Sequence, residues 1–243
     1  YFAHFHMRLK EGGLMDSLKD NLERVRASIN QVALSSNRDP KSILLLGVTK
    51  TVDVDVVESA IELGVEEVGE NKPQELARKY DIIKDRVKWH QIGSLQTNKV
   101  KYIIDKVELI HSLDRVRLAD EINLRADKID RDIKCLVQVN MSGEESKHGL
   151  RPSDVEDFVR YCSSNCPRIR IVGMMTMAAA DADEKGVIAC FRGLRDLSQS
   201  IDRLGLDNVK MKELSMGMSG DYKIAIEEGS TIVRVGTSIF GKR

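Results

Sequence analysis

The sequence has no long hydrophobic run, no surplus of either charge, and no cysteine or histidine set at metal-binding spacing. Its apolar stretches fall well short of the roughly 20 residues that a membrane-spanning helix needs. No basic leader followed by an apolar segment is visible, so a cytoplasmic location is expected rather than a secreted one. Thirty-eight basic residues balance 38 acidic ones, which leaves no electrostatic case for nucleic acid or an anionic membrane. The four cysteines, Cys135, Cys162, Cys166 and Cys190, read as ordinary reduced thiols. Neither the GxxxxGKS/T nor the GxGxxG pattern occurs, so the two common nucleotide cradles are excluded. Asn140-Met141-Ser142 matches a glycosylation pattern that, without a secretory route, carries no weight. A Pro/Gly/Ser-rich linker is missing too, and one domain over residues 8–243 is expected. Residues 1–7, with His4 and His6, read as a remnant ahead of a natural start at Met7; a weak metal pair is the lesser alternative.

What is present is an alternation. Residues 15–32 form an amphipathic helical pattern, with Leu18, Leu22, Val25, Ile29 and Val32 on one face. Residues 43–49 follow as a strand without polar alternation, as expected of one covered on both sides. Further strands are expected over 65–68, 87–92, 109–111, 133–139, 169–173, 209–214 and 231–235. Helical patterns over 54–63, 73–80, 98–104, 114–128, 154–162, 183–204 and 222–227 separate them. Those crossovers suit parallel βα units and are too long for hairpins. Eight units within 243 residues favour a single (β/α)₈ barrel with an additional N-terminal helix over a doubly wound sheet.

In such a barrel the chemistry gathers at the C-terminal ends of the strands. Lys50 ends the first strand, where partial desolvation and nearby positive charge would expose an amine lone pair; a solvated lysine capping the strand is the plainer alternative. Ser215-Met216-Gly217-Met218-Ser219-Gly220-Asp221 follows strand seven, and Gly236-Thr237-Ser238 follows strand eight. Glycines and hydroxyls in these two loops suit a phosphate, although either alone would pass as a flexible turn. A closed barrel would place strand eight beside strand one, and so bring Lys50 near the phosphate loops. An amine beside a phosphate cradle suggests a phosphorylated aldehyde as ligand. Arg234 shares a strand face with Ile232 and would point into the upper barrel, towards a core carboxylate or a ligand acceptor such as a heterocyclic nitrogen. His90 and His111 serve equally as satisfied supporting groups or as acid–base groups. Met174, Met175, Met177, Met216 and Met218 line the mouth or fill core gaps. The polar loop 144–149 is either a lid or a solvated turn.

Seven segments then carry a resemblance. They are Val48-Thr49-Lys50, Gly69-Glu70-Asn71, the run from Trp89 through His90-Gln91-Ile92-Gly93 to Lys99, Gly143 through Gly149, and Gly173-Met174-Met175-Thr176-Met177. The last two run from Leu214 to Asp221 and from Val233 to Gly241. In this order they resemble the pyridoxal 5'-phosphate (PLP) homeostasis protein family, itself similar to the N-terminal barrel of alanine racemase, PLP fold type III. The resemblance implies PLP as cofactor, with Lys50 as the Schiff-base lysine and Asn71 beside the ring. It further implies phosphate ligands at Ser219, Gly236 and Thr237, and Arg234 as partner of the pyridine nitrogen. Ser215, Met174, Met218, His90 and His111 become possible supporting residues. An arginine at the ring nitrogen makes the ring a weaker electron sink than an aspartate would.

The racemase takes a second acid–base group, a tyrosine, from a C-terminal β-domain on its partner subunit, and the sequence up to Arg243 offers no counterpart. The expectation is therefore a monomer that holds PLP and supports vitamin B6 homeostasis, with transient contacts to PLP-dependent apoenzymes and no efficient amino-acid turnover. A weak PLP-dependent racemase is the alternative, and a ligand-free barrel acting through protein contacts is a third.

Overall fold

A computed structural model describes residues 2–144 and 148–241, with side chains from Met15 onward. Eight parallel strands close into a barrel in chain order, β8 against β1. The first half comprises α1 (Phe2–Ser35), β1 (Leu44–Val48), α2 (Val54–Glu62), β2 (Glu67–Glu70), α3 (Pro73–Ile83), β3 (Lys88–Gln91), β4 (Val107–Leu113) and α4 (Val116–Lys128). The second half comprises β5 (Ile133–Gln138), α5 (Val155–Asn165), β6 (Ile169–Met175), α6 (Glu184–Asp202), β7 (Val209–Ser215), α7 (Tyr222–Glu227), β8 (Ile232–Val235) and α8 (Thr237–Phe240). This is the expected barrel with its extra leading helix. Residue 1 and residues 145–147 lie outside the described part, as do the side chains of His4 and His6, so neither the metal alternative nor the lid expectation is addressed there.

Strand alternation divides the apolar residues into two cores. Leu46, Leu109, Leu136, Met175 and Ile232 fill the barrel interior, with Leu44, Ile92 and Val172 packed on them. A larger core, including Trp89, Val137, Phe191, Leu214 and Val233, lies between the barrel wall and the helices. Met174 and Met216 belong to this outer core, which settles them as core-filling residues. Where β6 meets β7 the register shifts at Gly173, and any Cβ there would collide with the Glu213 carbonyl.

Local signals account for the element ends. Asp183 caps α6 by accepting from Gly186 N at 2.8 Å, a typical N-cap bond. Between β3 and β4, the expected helix over 98–104 is instead a 3₁₀ segment, Thr97–Tyr102, within which only Val100 is buried. One apolar anchor does not supply the stripe an α-helix needs to dock. Because α8 spans only Thr237–Phe240, it cannot cover the β8–β1 seam alone. Helix α1 does so, burying Leu18, Leu22, Val25 and Ile29. Asn21 Nδ2 donates to Ile239 O at 3.0 Å, and Tyr222 Oη donates to Ser28 Oγ at 2.9 Å. Among the described residues, no helix is long and apolar enough to cross a membrane.

Candidate cofactor site

The end of β1 is clamped from outside the barrel. Thr49 Oγ1 donates to Glu70 Oε1 at 2.7 Å. Lys79 Nζ, from α3, donates to the same oxygen at 2.5 Å and to Thr49 O at 2.8 Å. All three residues are buried, with Lys79 0 % and Glu70 1 % exposed. The carbonyl just before Lys50 is thereby held. Thr51, just after it, has φ +60°, a left-handed conformation that is costly for a β-branched residue. Lys50 is exposed and lies two residues beyond the C-terminal end of β1, at the barrel mouth.

Next to it, Asn71 follows β2 and is half-buried. Gln91 Nε2 donates to Asn71 O at 2.9 Å and to Gly93 O at 3.1 Å. A side chain at Gly93 would strike the Asn71 backbone, so glycine permits the close approach that fixes Asn71.

Arg234 projects inward above Ile232 and is 4 % exposed. Its NH1 donates to Ser215 Oγ at 2.6 Å and its NH2 to Thr176 O at 3.0 Å. Among the described residues, no bond of Arg234 goes to a carboxylate, so the core ion pair is not found. Burial pushes the guanidinium down to about 10, against a small opposing pull from Asp221. Beneath it, His111 Nδ1 lies 2.9 Å from Ser215 Oγ, and His111 Nε2 lies 2.9 Å from His90 Nδ1. His90 Nε2 lies 2.7 Å from Glu67 Oε2. Burial, then His90 and Arg234, hold His111 well below its ordinary value. Burial would raise Glu67, but bonds from His90 and Lys88 outweigh it and hold the carboxyl at about 2.

The two glycine-bearing loops are joined. Ser238 N donates to Ser219 Oγ at 3.3 Å. Gly217 has φ +91° and abuts Ala225 and Tyr222, which leaves no room for a Cβ. Its carbonyl accepts from Arg234 N at 2.9 Å, tying the β7 loop to β8. Gly236 lies against Val48, and an added Cβ would come to 3.3 Å from Val48 O. Thr237 and Met218 are exposed. The structure therefore joins Ser219 to the Gly236–Thr237 turn, seats that turn beside the end of β1, and sets Arg234 and Ser215 below. Met174 alone of the expected residues faces away, into the outer core.

This donor set fits a flat, phosphorylated aldehyde: hydroxyls and a glycine turn at one edge, a buried guanidinium beneath, and an amine at the rim. No cluster of His, Cys, Asp and Glu suited to a metal occurs among the described residues. Lys79 and Glu67 went unrecognised in the sequence, and Glu70 was noted only at a strand end and within a resembling segment, because each is an ordinary charged residue until the strand and helix faces turn its side chain to one side of the wall.

The chain is similar to known proteins in sequence and in fold. The sequence profile of the alanine racemase N-terminal domain matches residues 15–243. A pyridoxal phosphate homeostasis protein of Aquifex aeolicus is 42% identical over 225 residues, covering 92% of this chain and 97% of that protein. The structure of PipY from Synechococcus elongatus PCC7942 with PLP bound superposes with a TM-score of 0.81 at 28% identity, covering 92% of this chain and 100% of PipY. Alanine racemase of Clostridium difficile 630 shares the fold, with a TM-score of 0.73 at 17% identity, covering 94% of this chain and 57% of the racemase. The chain, a closed eight-stranded barrel with these loops, belongs to the pyridoxal phosphate homeostasis protein family, within the alanine racemase N-terminal domain family.

Proposed function

We propose that the protein binds PLP at the C-terminal mouth of the barrel and serves intracellular PLP homeostasis. The observation that carries this reading is Arg234, a buried guanidinium bonded only to a hydroxyl and a carbonyl among the described residues. A guanidinium has five N–H donors, so donors remain for an acceptor on a ligand such as a ring nitrogen. Ser219, Thr237 and the Gly236 turn would take the phosphate, and Asn71 would border the ring. Lys50 would hold the aldehyde carbon covalently through its amine. Bound PLP would supply an electrophilic aldehyde, and the arginine at its ring nitrogen would temper its capacity to stabilise carbanions.

Support for handling of the cofactor over turnover comes from His90 and His111. Both are buried, at 1 % and 0 % exposure, and both are committed to bonds inside the barrel. Neither is placed to serve a substrate at the rim. The four cysteines are buried and form no disulfide, which accords with action in the cytoplasm. We take the working unit to be a monomer that passes PLP to apoenzymes, which size-exclusion chromatography and transfer assays would check.

An absorbance titration with PLP tests the reading. Added PLP should develop a protein-dependent band that is lost in Lys50→Ala, with weaker, phosphate-mediated binding remaining. An unchanged band in that variant would overturn the role of Lys50, and no saturable binding at all would overturn the function.

A further inference from the structure

The bonds beneath Arg234 can share one direction, given the end groups and a single proton on each imidazole. A guanidinium only donates and a carboxylate only accepts. Arg234 NH1 donates to Ser215 Oγ at 2.6 Å, which leaves the Ser215 proton available to donate onward to His111 Nδ1, 2.9 Å away. His111 must then carry its proton on Nε2 and give that hydrogen bond to His90 Nδ1 at 2.9 Å. His90 in turn carries its proton on Nε2 and donates to Glu67 Oε2 at 2.7 Å. With a single proton on each imidazole, four consecutive bonds point the same way, from cation to anion, and the two histidines share one tautomer. Only an imidazolium at His90, donating from both nitrogens, would reverse the two bonds through His111, because the Ser215 oxygen can accept twice.

The chain also crosses the barrel. Glu67 opens β2 at the N-terminal face, His90 and His111 lie within β3 and β4, and Ser215 ends β7 at the opposite mouth. Glu67 and His90 line a cavity of about 1000 Å³ on the N-terminal face. Lys88 holds the other Glu67 oxygen at 2.9 Å, and Glu108, Lys134 and Glu213 share that cavity. The anion that balances Arg234 along these bonds thus stands on the face away from the cofactor mouth.

We propose that Glu67, His90, His111 and Ser215 act together as a one-way hydrogen-bond chain that orients and charge-balances Arg234 from across the barrel, making Glu67 a positioning residue for the ring-nitrogen contact. Aligned bonds in a low-dielectric interior polarise one another, so a charge at one end strengthens the donor at the other. Direct pairing with a carboxylate would instead turn the fork away from the mouth. The proposal rests on the PLP reading of Arg234 but adds residues and a face of the barrel that the reading does not include.

Two measurements test it. In cofactor-free protein labelled with ¹⁵N-histidine, His90 and His111 should both appear near neutral pH as neutral Nε2–H tautomers. An Nδ1–H tautomer or an imidazolium at either residue overturns the one-way chain, whatever PLP does. The second measurement compares PLP with its 1-deaza analogue, which has carbon in place of the ring nitrogen. Glu67→Gln should weaken PLP about three- to tenfold more than the analogue, within the range expected for coupled neighbours. Ser215→Ala, which cuts the chain next to Arg234, should do the same and serves if Glu67→Gln does not fold. Equal weakening of both ligands by these variants overturns the positioning role. Failure of the underlying PLP reading looks different: the unaltered protein would then bind both ligands equally.

Discussion

Lys79 and Arg234 are both buried cations on one barrel, and they are neutralised in opposite ways. Lys79 lies outside the wall and meets its counter-charge directly, 2.5 Å from Glu70. Its other bond goes to Thr49 O, so the amine spans two strands and a helix. Arg234 lies inside the wall and, among the described residues, bonds only to Ser215 Oγ and Thr176 O. Its balancing carboxylate, Glu67, is reached through two histidines and a serine. A closed pair holds structure and has little left for a ligand. An arginine balanced at a distance keeps donors and positive potential for whatever sits above it.

Removal of each cation should break the comparison if it is wrong. Lys79→Met leaves the Glu70 carboxylate buried without its cation, and such losses typically cost about 3–5 kcal/mol. Urea unfolding should show that loss, and adding Glu70→Gln should restore much of it. Arg234→Met strands only neutral acceptors, so its stability cost should be nearer 1–3 kcal/mol, while PLP binding suffers more. Equal stability losses for the two single variants would show that the distinction between them is not real.

A smaller effect is expected at the phosphate turn. Ser219→Ala should weaken PLP by about 1.5–3 kcal/mol, the usual worth of a hydrogen bond to a charged group. Pyridoxal, which lacks the phosphate, should be nearly unaffected in the same equilibrium titration. Equal weakening of both would move Ser219 to the ring or to a folding role.

The smallest effect separates the components of the inner chain by pH. His111 is depressed well below its ordinary 6.5 by burial, so below that pH the unfolded chain takes up a proton that the folded one refuses. Stability should accordingly fall as pH drops from 6.5. Glu67 sits at about 2 instead of 4.5, so its contribution is complete above 4.5 and drains away towards 2. Urea midpoints across this range should decline in two stages. His111→Gln should flatten the upper stage and leave the lower one in place.

How much of this was legible depended on whether a feature is local. The strand expected over 43–49 is β1, Leu44–Val48, and the helix expected over 222–227 is α7, Tyr222–Glu227. Apolar runs and caps announce such elements within a few residues. Strand β2 was expected two residues early, over 65–68, because Val65 and Val68 read as strand while Glu70 does not; the observed strand runs from Glu67 to Glu70. What makes those glutamates tolerable is distant in sequence: Lys79 for one, His90 and Lys88 for the other. The inward direction of Arg234 followed from alternation with Ile232, and the loops after β7 and β8 followed from their glycines and hydroxyls. The His90–His111 contact depends on β3 and β4 meeting across an irregular register, which no spacing rule shows.

Borohydride reduction of the PLP-loaded protein, followed by proteolysis and peptide mapping, tests the central claim most directly. The cofactor label should be fixed on Lys50, the residue between the Lys79–Glu70 clamp on Thr49 and the left-handed turn at Thr51. A label on Lys72, Lys99 or Lys147 with Lys50 unmodified, or no fixed label at saturating PLP, would contradict it.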